Sequence, residues 1–302
     1  MRATARVPCS CGELVQGIID GSYCLITCPI NVWAKVTVEL KPGGGIYGPL
    51  GRSKALRAVR LALNLLGERA GAKVWVENPL PPGKGLATST ADVVAAAAAT
   101  AAAAGYRLTY VELARIALQI EPSDGTFLPG IALFDHIHGK KQEYLGPAPE
   151  LEILIVDLGG KVDTVNFNRR QDLIKLNRAK EPLVQQAGQL VRLGLAEQNA
   201  ALVARGATLS ALANQVILPK PELESILDLA LEGGALGVNA AHSGTVLGIL
   251  YRPGEIDSRE LQIKLKKRHP HLNFFKASLA SGGVEVAAEA WSTEALSAAV
   301  GK

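Results

Sequence analysis

Hydrophobic and polar positions alternate over residues 32–40 (Val-Trp-Ala-Lys-Val-Thr-Val-Glu-Leu), which predicts a strand, and the breaker Lys41-Pro42-Gly43-Gly44-Gly45 ends it. The period then changes. Leu56, Val59, Leu63 and Leu66 recur at helical spacing with Arg57 and Arg60 between them, so residues 53–68 read as an amphipathic helix opened by a Ser cap. A short strand is predicted at 73–77, and residues 78–90 hold too much Pro and Gly to be regular. They lead into residues 93–104, which are almost wholly Ala and have no polar face, the pattern of a tightly packed buried helix. A second helix is predicted at 109–120, and the apolar run 152–158 is a buried strand ending at the turn Gly159-Gly160.

Beyond that turn the pattern is helical over 172–214, breaks at Pro219 and Pro221, and resumes over 222–232. A Gly-rich turn at 233–237 leads to a strand at 246–251, followed by a helix at 257–267 and strands at 272–277 and 284–288. Neither a repeat nor a low-complexity linker interrupts the chain. The change of pattern near 160 predicts two units, 1–160 and 161–302, with a cleft between them.

The 302 residues are 48% hydrophobic and 20% charged, a globular composition that excludes a disordered or fibrous chain. A net charge of +4 with dispersed basic residues suits anionic small molecules and argues against a nucleic-acid partner. The Ala-rich run is far shorter than the ~20 residues a membrane span needs, and the first six residues lead into a strand-like segment, so no membrane association and a cytoplasmic location are expected. The four cysteines all fall within the first 28 residues, at Cys9, Cys11, Cys24 and Cys28. Their C-x-C and C-x₃-C spacings differ from a zinc knuckle, and reduced thiols, buried or lining the cleft, are the better reading.

The strongest chemical signal is Pro81-Pro82-Gly83-Lys84-Gly85-Leu86-Ala87-Thr88-Ser89-Thr90. A Gly-rich loop entering a helix presents unpaired backbone N–H groups and the positive end of the helix dipole, which together bind phosphate. Lys84 adds a cation, and the three hydroxyls stand where phosphate oxygen or a metal lies; the plainer alternative is that Thr88–Thr90 merely cap the helix. A second glycine run, Gly43 to Gly48, satisfies G-x-G-x-x-G, but Pro42 and Pro49 flank it and no helix can start at its third glycine.

With Val7-Pro8-Cys9-Ser10-Cys11-Gly12-Glu13-Leu14-Val15-Gln16-Gly17 before it and Gly237-Val238-Asn239-Ala240-Ala241-His242-Ser243-Gly244-Thr245 after it, this loop resembles the second of three motifs of the GHMP small-molecule kinases. Within that superfamily the chain is most similar to the L-threonine kinases of cobalamin synthesis, through Ser10–Gly17, Ser89-Thr90-Ala91-Asp92, Ile120-Glu121-Pro122-Ser123-Asp124, Leu133-Phe134-Asp135-His136 and Ala241-His242-Ser243-Gly244-Thr245. The resemblance implies an α+β fold, with a ribosomal-protein-S5-like N-terminal domain and a ferredoxin-like C-terminal domain. It implies transfer of the ATP γ-phosphate to the L-threonine hydroxyl, giving O-phospho-L-threonine for the aminopropanol linker of cobalamin. The alternative is a kinase for another small alcohol, such as homoserine or a sugar.

Under that resemblance Pro82, Gly83, Lys84, Gly85, Leu86, Ala87, Thr88, Ser89 and Thr90 bind ATP, and Ser89 with Glu121 holds Mg²⁺. Asp124 orients the acceptor hydroxyl or takes its proton, unless it simply serves an Asx turn in Pro122-Ser123-Asp124-Gly125. Glu13 is a candidate for the substrate ammonium, unless it is spent in a salt bridge to a side chain such as Lys35. His242, Ser243 and Gly244 shape the substrate cleft, and Ala240 and Ala241, replacing the glycines usual in this motif, suggest a looser backbone approach there. Asp135, His136 and His138 invite a metal reading, since His-x-His on a strand faces one way, but a structural His136 is preferred.

Overall fold

The computed structural model describes residues 1–160 and 170–288. Its frame is a hairpin of two long strands, β1 (Arg2–Ile19) and β2 (Ser22–Lys41). They are joined at Asp20-Gly21, where both residues have positive φ and Ile19 pairs with Ser22. That two-residue turn matches the right-handed twist of the strands it joins. The pattern-based strand at 32–40 is therefore the second half of a 20-residue strand.

Next come β3 (Ile46–Tyr47), α1 (Ser53–Leu66), β4 (Gly71–Glu77), α2 (Thr88–Ala103), α3 (Tyr110–Leu118), β5 (Ile131–Phe134), β6 (Gln142–Gly146) and β7 (Glu152–Asp157). The second half holds α4 (Leu173–Ala196), α5 (Ala200–Ala213), a short 3₁₀ turn (Asn214–Val216), α6 (Leu223–Glu232), β8 (Gly237–Ala240), β9 (Val246–Tyr251), α7 (Ser258–Arg268), β10 (Asn273–Ser278) and β11 (Glu285–Ala288). The residue at the N-cap of α1 is Arg52, which makes no side-chain cap bond, so Ser53 is the first helical residue and not its cap. Two other caps follow the chemistry of their residues. Thr109 and Glu112 close a reciprocal capping box on α3, and Asn199 accepts from the N–H groups of Ala201 and Leu202, breaking the long helical run into α4 and α5.

The strands form a mixed α+β sheet in the order β10-β7-β9-β8-β1-β2-β4-β3, with β5 and β6 joined through β2, and β11 through β1. Pairing places β7 with β9 and β10 and not with the strands before it. β7, just before the change of pattern near residue 160, thus pairs with strands that follow it, and β11 returns to β1. The larger core spans both halves of the chain, taking in Ile153, Ile155, Val184, Val191 and Val203, while Leu154 and Val156 pack with Leu223, Ile226, Val238, Leu247 and Ile249 in a second cluster. The α2 helix lies in the larger cluster with Val93 to Ala99 all buried, as its lack of a polar face predicts.

β1 is irregular where its first motif lies. Its register against β2 shifts three times between Pro8 and Val15, and Glu13 pairs with Thr27 on one side and Ala240 on the other. Such bulges re-aim side chains, and here they turn Glu13 toward the seam between the two halves of the sheet. Among the described residues, no helix is long and apolar enough to cross a membrane.

Candidate active site

The three glycine-bearing motifs meet at this seam through backbone hydrogen bonds. Ser10 N–H donates to Leu86 O at 3.0 Å, Gly12 N–H to Gly85 O at 2.9 Å, and Thr245 N–H to Lys84 O at 2.9 Å. The last two contacts require missing side chains. A Cβ on Gly12 would lie 2.5 Å from Ala241 N, and one on Gly244 would lie 2.3 Å from Lys84 O. The alanines of the third motif do not loosen the approach, contrary to the sequence-based expectation, because Gly12 and Gly85 across from Ala241 supply the space.

The loop delivers α2 with its first turn open. Ala87, in the helix-preceding position, has φ +52 and no side chain caps the helix, so the alternative in which Thr88–Thr90 are caps does not hold. The first-turn N–H groups lack helical carbonyl partners and keep the positive end of the dipole available to an anion. Asn78 steadies the approach by donating to Thr88 O at 3.3 Å and Asp92 at 2.8 Å. Pro82 and Gly83 are exposed, Lys84, Gly85 and Ser89 half-buried, and Leu86, Ala87, Thr88 and Thr90 buried. Lys84 is held by Asp157 at 2.9 Å, and Asp157 also accepts from Gly159 N–H at 2.9 Å and Thr245 Oγ1 at 3.3 Å.

On the other side of the α2 terminus, Ser89 Oγ donates to Glu121, whose carboxylate also pairs with Lys54. Thr90 Oγ1 donates to the Asp124 carboxylate at 3.4 Å and accepts from Asp124 N–H at 3.1 Å. Asp124 is thereby anchored to α2 across 34 positions of sequence and does not serve a local turn. Burial, then the negative charge of Glu13, pushes its carboxyl well above the usual range.

Glu13 is buried beside the third motif, where His242 donates to it from its backbone N–H at 2.8 Å and from Nδ1 at 3.2 Å. The alternative partner Lys35 is on the surface, paired with Glu77 at 3.1 Å. Nδ1 of His242 also lies 3.1 Å from Ala240 O, which can only accept, so the proton sits on Nδ1 and Nε2 receives the Ser210 hydroxyl at 3.1 Å. Burial holds that imidazole neutral. Ser243 is half-buried on the same turn, and Gly244 closes it against the phosphate loop.

Sequence reasoning missed the other side of this buried cluster. Lys180 of α4 and Lys220, between the two prolines after α5, are buried and carry pKa values lowered by burial to about 8. Both act on Glu13, offsetting part of the burial that pushes its carboxyl upward. No spacing signals them; a lysine in a helical run ordinarily marks a solvated face.

His136 and His138 do not share a strand face. They lie in a turn after β5 that is organised by Asp135, whose carboxylate accepts from the N–H groups of Ile137 and His138. His136 is half-buried, 3.5 Å from Gln16 Nε2, and His138 is exposed. No group of three metal-ligating side chains occurs among the described residues. All four cysteines are free and buried, with Cys9 pushed up to about 12 and Cys24 to about 11 by burial. Thiols so held are poor nucleophiles. Alkylation of the folded protein at pH 8 is expected to leave all four unmodified until denaturant is added; rapid labelling of any of them, read by mass, would contradict the packing.

Residues 53–129 match the family described as GHMP kinases N terminal domain, and residues 191–267 match GHMP kinases C terminal. The chain is 34% identical over 287 residues to an L-threonine kinase of Salmonella typhimurium, covering 94% of this chain and 95% of that one. It is 32% identical to an L-threonine kinase of Citrobacter freundii, covering 94% and 99%. Among solved structures, homoserine kinase from Cytophaga hutchinsonii superposes with a TM-score of 0.69 at 17% identity, covering 95% of this chain and 97% of that one.

Proposed function

Because the chain belongs to the GHMP kinase family, we propose that it transfers the γ-phosphoryl group of ATP to the side-chain hydroxyl of L-threonine, releasing O-phospho-L-threonine and ADP. The observation that carries this reading is the near-full-length similarity to two L-threonine kinases, in a chain whose three motifs close on one another around an open helix terminus. The product then serves the aminopropanol linker of cobalamin, in the cytoplasm.

Phosphoryl transfer asks the protein for charge stabilisation and in-line placement. The uncapped first turn of α2 and the loop from Pro82 to Ala87 receive the phosphates, with Lys84 exchanging Asp157 for phosphate oxygen. Ser89 and Glu121 present hard oxygen donors side by side, a set that fits Mg²⁺. Held there, Mg²⁺ would supply charge neutralisation for the phosphoryl group being transferred. Asp124, fixed by Thr90, accepts a hydrogen bond from the acceptor hydroxyl and takes its proton as the new P–O bond forms. Glu13 receives the substrate ammonium.

A panel of acceptors with ATP and Mg²⁺ tests the reading: threonine is expected to give the highest kcat/KM, and homoserine or a sugar far above it overturns the assignment. Ser89→Ala and Glu121→Ala are each expected to lower kcat by on the order of 10²-fold, as loss of one charge-stabilising contact does. Unchanged ADP formation in both would remove Ser89 and Glu121 from the catalytic machinery, and no ADP formation by the wild-type protein with any acceptor would point to a non-catalytic binding protein.

A further inference from the structure

We propose that Lys180 and Lys220 together form the carboxylate site of the acceptor, which makes the enzyme specific for an α-amino acid over an amino alcohol. The inference rests on the threonine kinase reading and names the recognition device within that same site.

Lys180 and Lys220 are each 4% exposed, as is Glu13. Burying an ammonium group is costly unless it is paired. Yet among the described residues, the polar contacts of the two Nζ atoms are to neutral oxygens: Asn214 Oδ1 at 2.9 Å for Lys180 and Ala241 O at 2.7 Å for Lys220. Each ammonium has three protons, so each retains donors beyond its one contact. Glu13 is the carboxylate that acts on both, and it is one negative charge facing two positive ones. The balance asks for a further anionic group.

The local framework aims both lysines at one place. Asn214 bridges Lys180 and the third motif by also donating to His242 O at 3.4 Å, and Lys220 grips the carbonyl immediately before His242. His242 in turn presents its N–H and Nδ1–H to Glu13. A neighbouring donor-seeking atom borders the same cluster: Gln16 Oε1 is buried without a partner, on the residue whose N–H donates to Ser210 at 3.3 Å.

The order of groups matches the acceptor. Glu13 pairs in the sheet with Thr27, whose hydroxyl accepts from the N–H next to Asp124, that of Gly125, at 2.9 Å, and on its other side it accepts from His242, which Lys220 and, through Asn214, Lys180 flank. The sequence base, carboxylate, lysine pair corresponds to hydroxyl, ammonium, carboxylate, which in threonine lie on adjacent carbons and need contiguous partners. Two ammonium groups suit the two oxygens of a carboxylate.

The test compares L-threonine with 1-aminopropan-2-ol and L-threonine amide, which keep hydroxyl and ammonium but lack the negative charge. Wild-type kcat/KM is expected to favour threonine over both by at least about 100-fold, since a site built for a charged group is left unpaired by the neutral one. Lys180→Met and Lys220→Met are each expected to lower that ratio by on the order of tenfold or more, through KM for threonine, with KM for ATP unchanged. Lys180→Arg and Lys220→Arg are expected to retain most of the preference. If the methionine variants lower turnover of threonine and 1-aminopropan-2-ol equally, the lysines merely stabilise Glu13 and the proposal is overturned. If the variants do not fold, the wild-type ratio still decides, because threonine amide within about threefold of threonine overturns it. Wild-type enzyme that turns over homoserine or a sugar but no threonine overturns the underlying reading as well, a distinct outcome.

Discussion

Asp124→Asn is expected to lower kcat for threonine phosphorylation by on the order of 10²- to 10⁴-fold, the range spanned by loss of a general base. ATP binding should change little, because Asp124 is anchored on the acceptor side of α2 through Thr90 and not in the phosphate loop. Asparagine keeps the shape and can still meet the Thr90 hydroxyl, so a preserved fold with lost turnover isolates the proton-accepting role. The pH profile supplies a second readout. Asp124 is raised to about 7 by burial and by Glu13, and a base works only when ionised. The wild-type kcat/KM is therefore expected to fall as pH drops through the neutral range. Glu13→Gln removes a neighbouring negative charge and leaves the two lysines, which eases ionisation of Asp124; the acid limb should move to lower pH. A limb that stays in place, or an Asp124→Asn enzyme with more than about a third of wild-type kcat, would remove Asp124 as the base.

Gly244→Ala is expected to be the most damaging single methyl group in the phosphate-binding region. Its Cβ would lie 2.3 Å from Lys84 O and 2.5 Å from Gly85 Cα, both backbone atoms that cannot swing aside as a side chain can. Room is made only by moving the phosphate loop off the third motif, which stretches the Thr245 N–H bond to Lys84 O and misplaces the N-terminus of α2. Overpacking of this kind costs about 1–3 kcal/mol, and a 1 Å displacement of positioning groups can cost on the order of 10²-fold in rate. KM for ATP should rise together with the loss of stability. Gly188→Ala is the control. It lies inside α4 with its nearest neighbour, Ile19, 3.9 Å from the added carbon, so the fold should gain about 0.5–1 kcal/mol from the lower entropy of the unfolded chain. Chemical denaturation and ATP titration of the two variants distinguish local overpacking from a general sensitivity to glycine replacement.

Much of the fold was legible in the chain. The α2 helix had no polar face and is buried along nearly its whole length, the strand at 246–251 has the bounds its apolar run suggested, and the glycine run at 43–45 is a loop, as its prolines required. The long β1–β2 hairpin was visible only in part. The strand at 32–40 was read, but the buried stretches on either side of the Asp20-Gly21 turn alternate poorly because both faces are covered, so period 2 is lost. Ser53 looked like a cap, yet Ser at the start of a helical pattern specifies the boundary to within a residue or two and not which atom makes the bond.

The glycine-rich loop ahead of α2, the hydroxyl run Thr88-Ser89-Thr90 and the two carboxylates Glu121 and Asp124, three residues apart, could all be read from the chain, because they lie in short continuous stretches. Only the folded chain shows what Glu13 faces, that Asp124 is oriented by Thr90, and that Lys180 and Lys220 reach the same buried cluster around His242. The reason is physical. A side chain's role in a buried site is set by desolvation and by charges that arrive from distant segments, and here those segments are separated by 34 residues in one case and more than 160 in the other. Local pattern records how a segment folds; it holds no information on which buried charge will meet which.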